Sequence, residues 1–179
     1  MPSLPRVLLV APDRSYRTGA YVRAAAELRI ELTVASWGRH PLAIDSNGIR
    51  LDSESVDHAF AQIQKAAAQK PFSAVIATDD VTVPLVKGIS EKLGLPTNGS
   101  RALCASTDKA AFRTACFERG LPSPAFFVVR AGEPVDPSFE RVGFPCVAKP
   151  LSLSASRGVI RCDTQEELLS AVVRIRQLL

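Results

Sequence analysis

The sequence predicts an α/β chain: a doubly wound parallel sheet followed by a small, incomplete α+β subdomain. Three observations predict this. Residues 6–11 (RVLLVA) and 72–77 (FSAVIA) are short, almost purely apolar runs, the mark of parallel strands covered on both faces. Longer segments with apolar residues at helical spacing alternate with such runs through the first half of the chain. After residue 143 the pattern changes to strand, lysine, serine-rich loop, strand.

The elements follow in order. Residues 12–18 form a polar loop, and 19–28 an alanine-rich helix with Tyr21, Val22, Ala25 and Leu28 on one stripe. Residues 32–35 are a second strand. A short third one spans 49–51, after a turn at Ser46-Asn47-Gly48. Ser53 or Ser55 caps a helix reaching about Gln69, with Val56, Phe60, Ile63 and Ala67 inward. The strand at 72–77 ends in Thr78-Asp79-Asp80, and a helix over 82–93 stops at Gly94 with Pro96 beyond. Ser106 or Thr107 is the expected cap of a helix over 108–119, which ends at Gly120. Leu121-Pro122-Ser123-Pro124 reads as a rigid linker. Residues 125–130 are expected as a strand, 132–137 as a loop, and 144–148 and 159–160 as the two arms of a hairpin. Asp163 or Thr164 caps the last helix, from Gln165 to about Leu178.

Composition excludes several classes. With 46% hydrophobic and 22% charged residues the chain reads as a globular protein, and no apolar run approaches the ~20 residues of a membrane span. The N-terminal apolar run is too short for a secretory signal, so a cytoplasmic address is expected. The net charge of +4 comes from scattered arginines, without a polybasic block or aromatic–basic interleaving, which argues against a nucleic-acid partner. Cys104, Cys116, Cys146 and Cys162 show no CxxC pairing and have no nearby histidine. They are read as reduced, mostly buried thiols rather than a zinc site.

In a doubly wound sheet, ligands bind beyond the C-terminal strand ends. The candidate substrate loops are therefore 12–18, which holds Asp13 and Arg14, 36–40, and Thr78, Asp79 and Asp80. The two aspartates have two readings: ligands of a substrate amine or a metal, or turn and cap residues. The first strand-to-helix turn, A-P-D-R-S-Y-R-T-G, lacks the glycines that let a dinucleotide approach the backbone, which excludes an NAD-type enzyme. Lys109, in the first turn of its helix, sits where the helix dipole disfavours a cation by about 0.3–1 kcal/mol, a hint of a nearby anion. The hairpin G-F-P-C-V-A-K-P-L-S-L-S-A-S-R-G-V-I-R offers hydroxyls, backbone N–H groups and two cations at its tip, a donor set suited to a polyphosphate. An ordinary hairpin with a solvated loop is the other reading of that stretch alone.

The order of pieces, TDKAAFRTACFERGLPSPAFFVV and then GFPCVAKPLSLSASRGVI, downstream of an α/β domain ending in GLPTNG, resembles the front part of an ATP-grasp ligase over essentially the whole chain. The resemblance implies a Rossmann-like pre-ATP-grasp domain over residues 1–105, a linking helix and Pro-rich linker over 106–123, and part of the ATP-grasp lid over 124–179. It implies ATP and Mg²⁺ as cofactors and a small carboxylate as substrate. It also implies an acylphosphate that an amine or thiol attacks, no membrane partner, and an assembly that includes a homodimer among its options. Under it, Lys109 reaches the ATP phosphates and Lys149 lies near the α-phosphate and adenine. The loop Ser154, Ala155, Ser156, Arg157 and Gly158 folds over the β- and γ-phosphates. Two departures stand out: Gly158 is the single glycine of the loop, and no acidic pair follows Lys149 to hold Mg²⁺. The expectation is an N-terminal fragment of a longer ligase, inactive alone. The alternative is a short natural α/β protein that binds a small molecule or regulates without catalysis.

Overall fold

The computed structural model describes residues 4–37, 40–44, 48–135 and 137–179. The expected turn at Ser46-Asn47, residues 38–39 of the loop 36–40 and residue 136 of the loop 132–137 lie outside them. The chain divides into two compact units, Met1–Leu103 and Cys104–Leu179.

The first unit holds a four-stranded parallel sheet. Its strands are β1 (Arg6–Val10), β2 (Glu31–Trp37), β3 (Ile49–Leu51) and β4 (Ala74–Ala77), in the order β3-β2-β1-β4. Alternate residues of β1 serve opposite faces, as the period of two requires. Leu8 and Val10 join Ala35, Leu51, Ala59, Ile63, Phe72, Leu85 and Ile89 in one cluster, covered by α3 (Val56–Gln69) and α4 (Val83–Lys92). Leu9 and Ala11 join Val34 on the other face, under Tyr21 of α1 (Thr18–Glu27). α3 and α4 approach closely at Gly88, where a Cβ would stand 2.7 Å from a methyl of Val56.

Arg6 fastens the opposite end of this sheet. Its guanidinium donates to the carbonyls of Ala66 (3.0 Å) and Lys70 (2.7 Å) at the end of α3, and to Thr33 Oγ1 (3.2 Å). It also pairs with Glu31 at 3.2 Å and lies over the Phe72 ring. A cation on the last carbonyls of a helix meets both their unfilled acceptor capacity and the dipole.

Strand and helix bounds differ from the sequence expectation by a few residues at most, except in four places. Two short helices appear where none was expected, α2 (Pro41–Ile44) and α5 (Ser100–Thr107). Neither Ser106 nor Thr107 caps the next helix, α6 (Lys109–Glu118). Asp108 does so, accepting from the Ala111 N–H at 2.8 Å, as a short carboxylate just outside a helix is suited to do. And residues 125–130 form no strand: Phe127 and Val129 pack into the core of the second unit, but the backbone joins no ladder.

That second sheet is a two-stranded antiparallel ribbon, β5 (Cys146–Ala148) against β6 (Ile160–Cys162), covered by α7 (Gln165–Leu178). β5 begins two residues later than expected, since Pro145 has no N–H to pair. Phe139, Cys162, Leu168, Ala171 and Val172 make its small core. Thr164 caps α7, accepting from Glu167 N at 3.2 Å, while Glu167 reaches back to Asp163 N at 2.6 Å, a capping box displaced by one residue. The cysteines are less uniformly buried than expected: Cys116 and Cys162 are buried, Cys146 half-buried and Cys104 exposed.

Ile63 has no exposed surface and sits at the centre of the larger cluster. Ile63→Ala is expected to lower stability by about 2–5 kcal/mol, measured as the shift of the urea midpoint at constant m-value. A loss under about 1 kcal/mol would show that α3 does not anchor the sheet.

Candidate functional site

In the first unit the chain leaves β1 toward β2 on one side and returns as β4 on the other. The crevice for a ligand in such a sheet therefore lies beyond the C-terminal ends of β1 and β4. Two loops meet there. Thr78 N donates to Val10 O at 3.1 Å, continuing the ladder one step past β4. Asp79 Oδ2 accepts from Ser15 Oγ at 2.5 Å and from Thr78 Oγ1 at 2.6 Å, while Arg17 lies 3.8 Å from its other oxygen. Arg17 also donates to Thr78 O at 3.0 Å. Its hydrogen bond to Tyr16 and then the nearby aspartates raise its pKa further, so it stays charged.

Of the residues proposed for substrate binding, the fold thus gathers Thr78 and Asp79 with Ser15 and Arg17. Asp79 Oδ2 accepts both of its bonds from these loops, and the Asp79 carbonyl accepts from Thr82, so Asp79 ties the two loops together. Asp80 opens a 3-10 turn (Asp80–Thr82) and is exposed, Arg14 is exposed, and Asp13 is half-buried. The loop 12–18, expected as a ligand loop, lies at the C-terminal end of β1. That Ser15 and Arg17 are its structural members was not legible, because spacing carries no signal for a hydroxyl meeting a carboxylate 64 residues away.

The second unit carries the flap. β5 ends at Ala148; exposed Lys149 and buried Pro150 follow. The chain then runs through an exposed serine loop in which Ala155 (φ 54°) and Ser156 (φ 58°) are both left-handed. Positive φ at both central residues of a four-residue turn is the type I′ arrangement. Arg157 N bonds Ser154 O and Val159 N bonds Ser156 O, so the loop is a pair of stacked turns. Gly158 closes it: its φ is +70°, and a Cβ there would stand 2.9 Å from the Pro150 ring and 3.0 Å from Leu178. Both facts require glycine.

Lys109 holds the root of this flap. Its N–H donates to Leu151 O at 3.2 Å, and its ammonium donates to Leu151 O at 3.1 Å and Leu153 O at 2.7 Å. The first turn of α6 is thereby bound to the segment that leads into the serine loop. Among the described residues the side chains of Lys149 and Arg157 have no hydrogen-bond or ion-pair partner, so two cations flank the loop uncompensated. Ser154, Ser156 and Arg157 are exposed and Gly158 half-buried, so the loop's hydroxyls face solvent. The set fits a polyphosphate. It does not fit Mg²⁺: among the described residues no three His, Cys, Asp or Glu side chains converge as a metal group.

No protein-family model matches the chain. It is similar to the D-alanine–D-alanine ligase of Actinobacillus pleuropneumoniae serotype 5b, 35% identical over 150 residues, which covers 79% of this chain and 48% of that ligase. The D-alanine–D-alanine ligase of Geobacter sulfurreducens is 38% identical over 89 residues, or 49% of this chain and 28% of the relative. Among solved structures, an N5-carboxyaminoimidazole ribonucleotide synthetase in its ADP complex superposes with a TM-score of 0.69 at 16% identity, over 98% of this chain and 45% of that one. An L-amino acid ligase from Bacillus licheniformis gives 0.65 at 18% identity, over 97% and 43%. At such identities the structural matches speak for the fold alone. The chain spans about half the length, or less, of the curated relatives it matches. The sequence relatives are D-alanine–D-alanine ligases and the matched folds are those of ATP-grasp ligases, in agreement with the resemblance to ATP-grasp ligases read from the sequence.

Proposed function

We propose that these 179 residues supply the substrate domain and the nucleotide flap of an ATP-dependent carboxylate–amine (or thiol) ligase. The observation that carries the reading is the flap itself: Lys149 and Arg157, unpaired among the described residues, beside an exposed loop with the Ser154 and Ser156 hydroxyls. Phosphoryl transfer asks a protein mainly for positioning and charge stabilisation, which such a loop provides. In the proposed reaction a substrate carboxylate attacks the γ-phosphorus of ATP and ADP departs. The amine then attacks the acylphosphate and inorganic phosphate leaves. Lys149 serves the α-phosphate side, and Ser154, Ser156, Arg157 and the Gly158 amide the β- and γ-phosphates. The crevice at Arg14, Thr78 and Asp80 takes the carboxylate substrate. Because the curated relatives are named for D-alanine, amino acids head the list of substrates to test.

Lys109 has two roles in this reading. Without nucleotide its ammonium satisfies the Leu151 and Leu153 carbonyls; with nucleotide bound, phosphate oxygens compete for the same three N–H donors. Mg²⁺ has no site among the described residues, and no step here is assigned to it.

The reading is tested on the complete gene product containing these residues. ADP release is followed with D- and L-amino acids as carboxylate and amine, and the product is identified by mass spectrometry. ATP-dependent formation of an amide or thioester supports it; no nucleotide binding and no ADP release with any pair rejects it. In the same protein Lys149→Ala is expected to weaken ATP binding about tenfold or more, since a charge-assisted contact is worth roughly 1.5–3 kcal/mol. Unchanged affinity by calorimetry would remove Lys149 from the site. Lys109→Met is expected to speed proteolytic cleavage around residues 151–153 severalfold in the absence of nucleotide, whereas an unchanged cleavage rate would show that the carbonyl clasp does not order the flap. In this reading the 179-residue chain by itself is expected to release no ADP from ATP. Sustained turnover by that chain would contradict this.

A further inference from the structure

Two cysteines face each other at the base of the flap. Cys146 on β5 and Cys162 on β6 are directly opposed partners in the antiparallel ladder. Directly opposed residues of such a ladder have Cα atoms about 4.5–5.5 Å apart, within the roughly 4.4–6.8 Å over which a disulfide closes. The two side chains lie on the same side of the ribbon: Cys162 is part of the core beneath α7, and Cys146 packs against that core. The Cys162 thiol donates to the Ile160 carbonyl of its own strand at 3.7 Å. Cys162 has no exposed surface, while Cys146 is half-buried and so is the sulfur that a reagent meets first.

We propose that Cys146 and Cys162 are a reversible dithiol–disulfide pair, a modification site that staples together the two strands carrying the flap. The oxidant is a small organic disulfide. The Cys146 thiolate attacks one of its sulfurs, forming a mixed disulfide and expelling one thiolate. Cys162, having lost its proton, attacks the Cys146 sulfur and expels the second. Two protein thiols are oxidised, one disulfide is reduced to two thiols, and the two protons released end on those thiols. Burial first, and Cys162 next, raise the pKa of the Cys146 thiol, which keeps that thiol protonated and slow to react at rest.

Oxidation does not depend on the ligase reading, so its failure would leave that reading standing. The 179-residue chain, with exposed Cys104 replaced as Cys104→Ser, is incubated with oxidised glutathione under native conditions. The expected product is lighter by about 2 Da, the two hydrogens lost, and reverts with dithiothreitol. Peptide mapping is expected to join the segments containing Cys146 and Cys162. The thermal midpoint of the oxidised chain is expected to rise by about 5 °C or more, because the bond closes the flap into a covalent loop in the unfolded chain. Cys146→Ser is expected to abolish the mass change. Any of three results overturns the proposal: no mass change in the natural pair, a glutathione adduct that persists without closing, or a bridge that uses Cys116.

Discussion

Strand β1 has to be hydrogen-bonded along both edges and covered on both faces at the same time. That constraint organises the first unit. It forces residues 7–11 to be apolar without alternation, because Leu8 and Val10 meet α3 and α4 while Leu9 and Ala11 meet the α1 side. It fixes β2 and β4 as neighbours in register, Leu9 facing Val34 on one side and Ile76 on the other. It also decides where chemistry is available. A strand filled on every side has nothing left to offer except at its ends, and one end is taken by Arg6 and the carbonyls of α3. The other end, where the loops 12–18 and 78–80 meet, is what remains for a ligand.

The second unit solves a different problem with less material. Its ribbon is three residues wide on each strand, too short to be stable without α7 and the Phe139 cluster beneath it. Past Pro150 the carbonyls of Leu151 and Leu153 have no strand to pair with, and an unpaired carbonyl is costly wherever water is scarce. The Lys109 ammonium fills both. A cation that sits awkwardly against its own helix dipole is thereby compensated by two carbonyls from a distant segment. The dipole penalty of a few tenths of a kcal/mol is outweighed by charge-assisted bonds worth more than that apiece.

The parallel sheet, the alternation of strands and helices, and the flap were legible because each has a local signature: apolar runs, helical spacing, and lysine–proline followed by serines. The elements that were not legible depend on partners far along the chain. Residues 125–130 have the composition of a strand and pack like one through Phe127 and Val129, yet no neighbouring backbone completes a ladder. Asp79, read as either a ligand or a turn residue, is bound to Ser15 and Thr78, and only the fold shows that one of its oxygens is engaged there. Lys109 was legible as an oddity, a cation at the wrong end of a helix, but the carbonyls that explain its position lie more than 40 residues downstream.

Ala155 and Ser156 are L-residues held in left-handed turns where glycine would be the default. A glycine-rich flap bends anywhere along its length. Here each of the two residues sits in a basin about 1–2 kcal/mol less favourable than its right-handed alternative, so the bonds from Arg157 N to Ser154 O and from Val159 N to Ser156 O have to hold the tip in shape. Whatever loosens those two bonds lets the tip unwind, and the cost stored in its bend is returned as it does so.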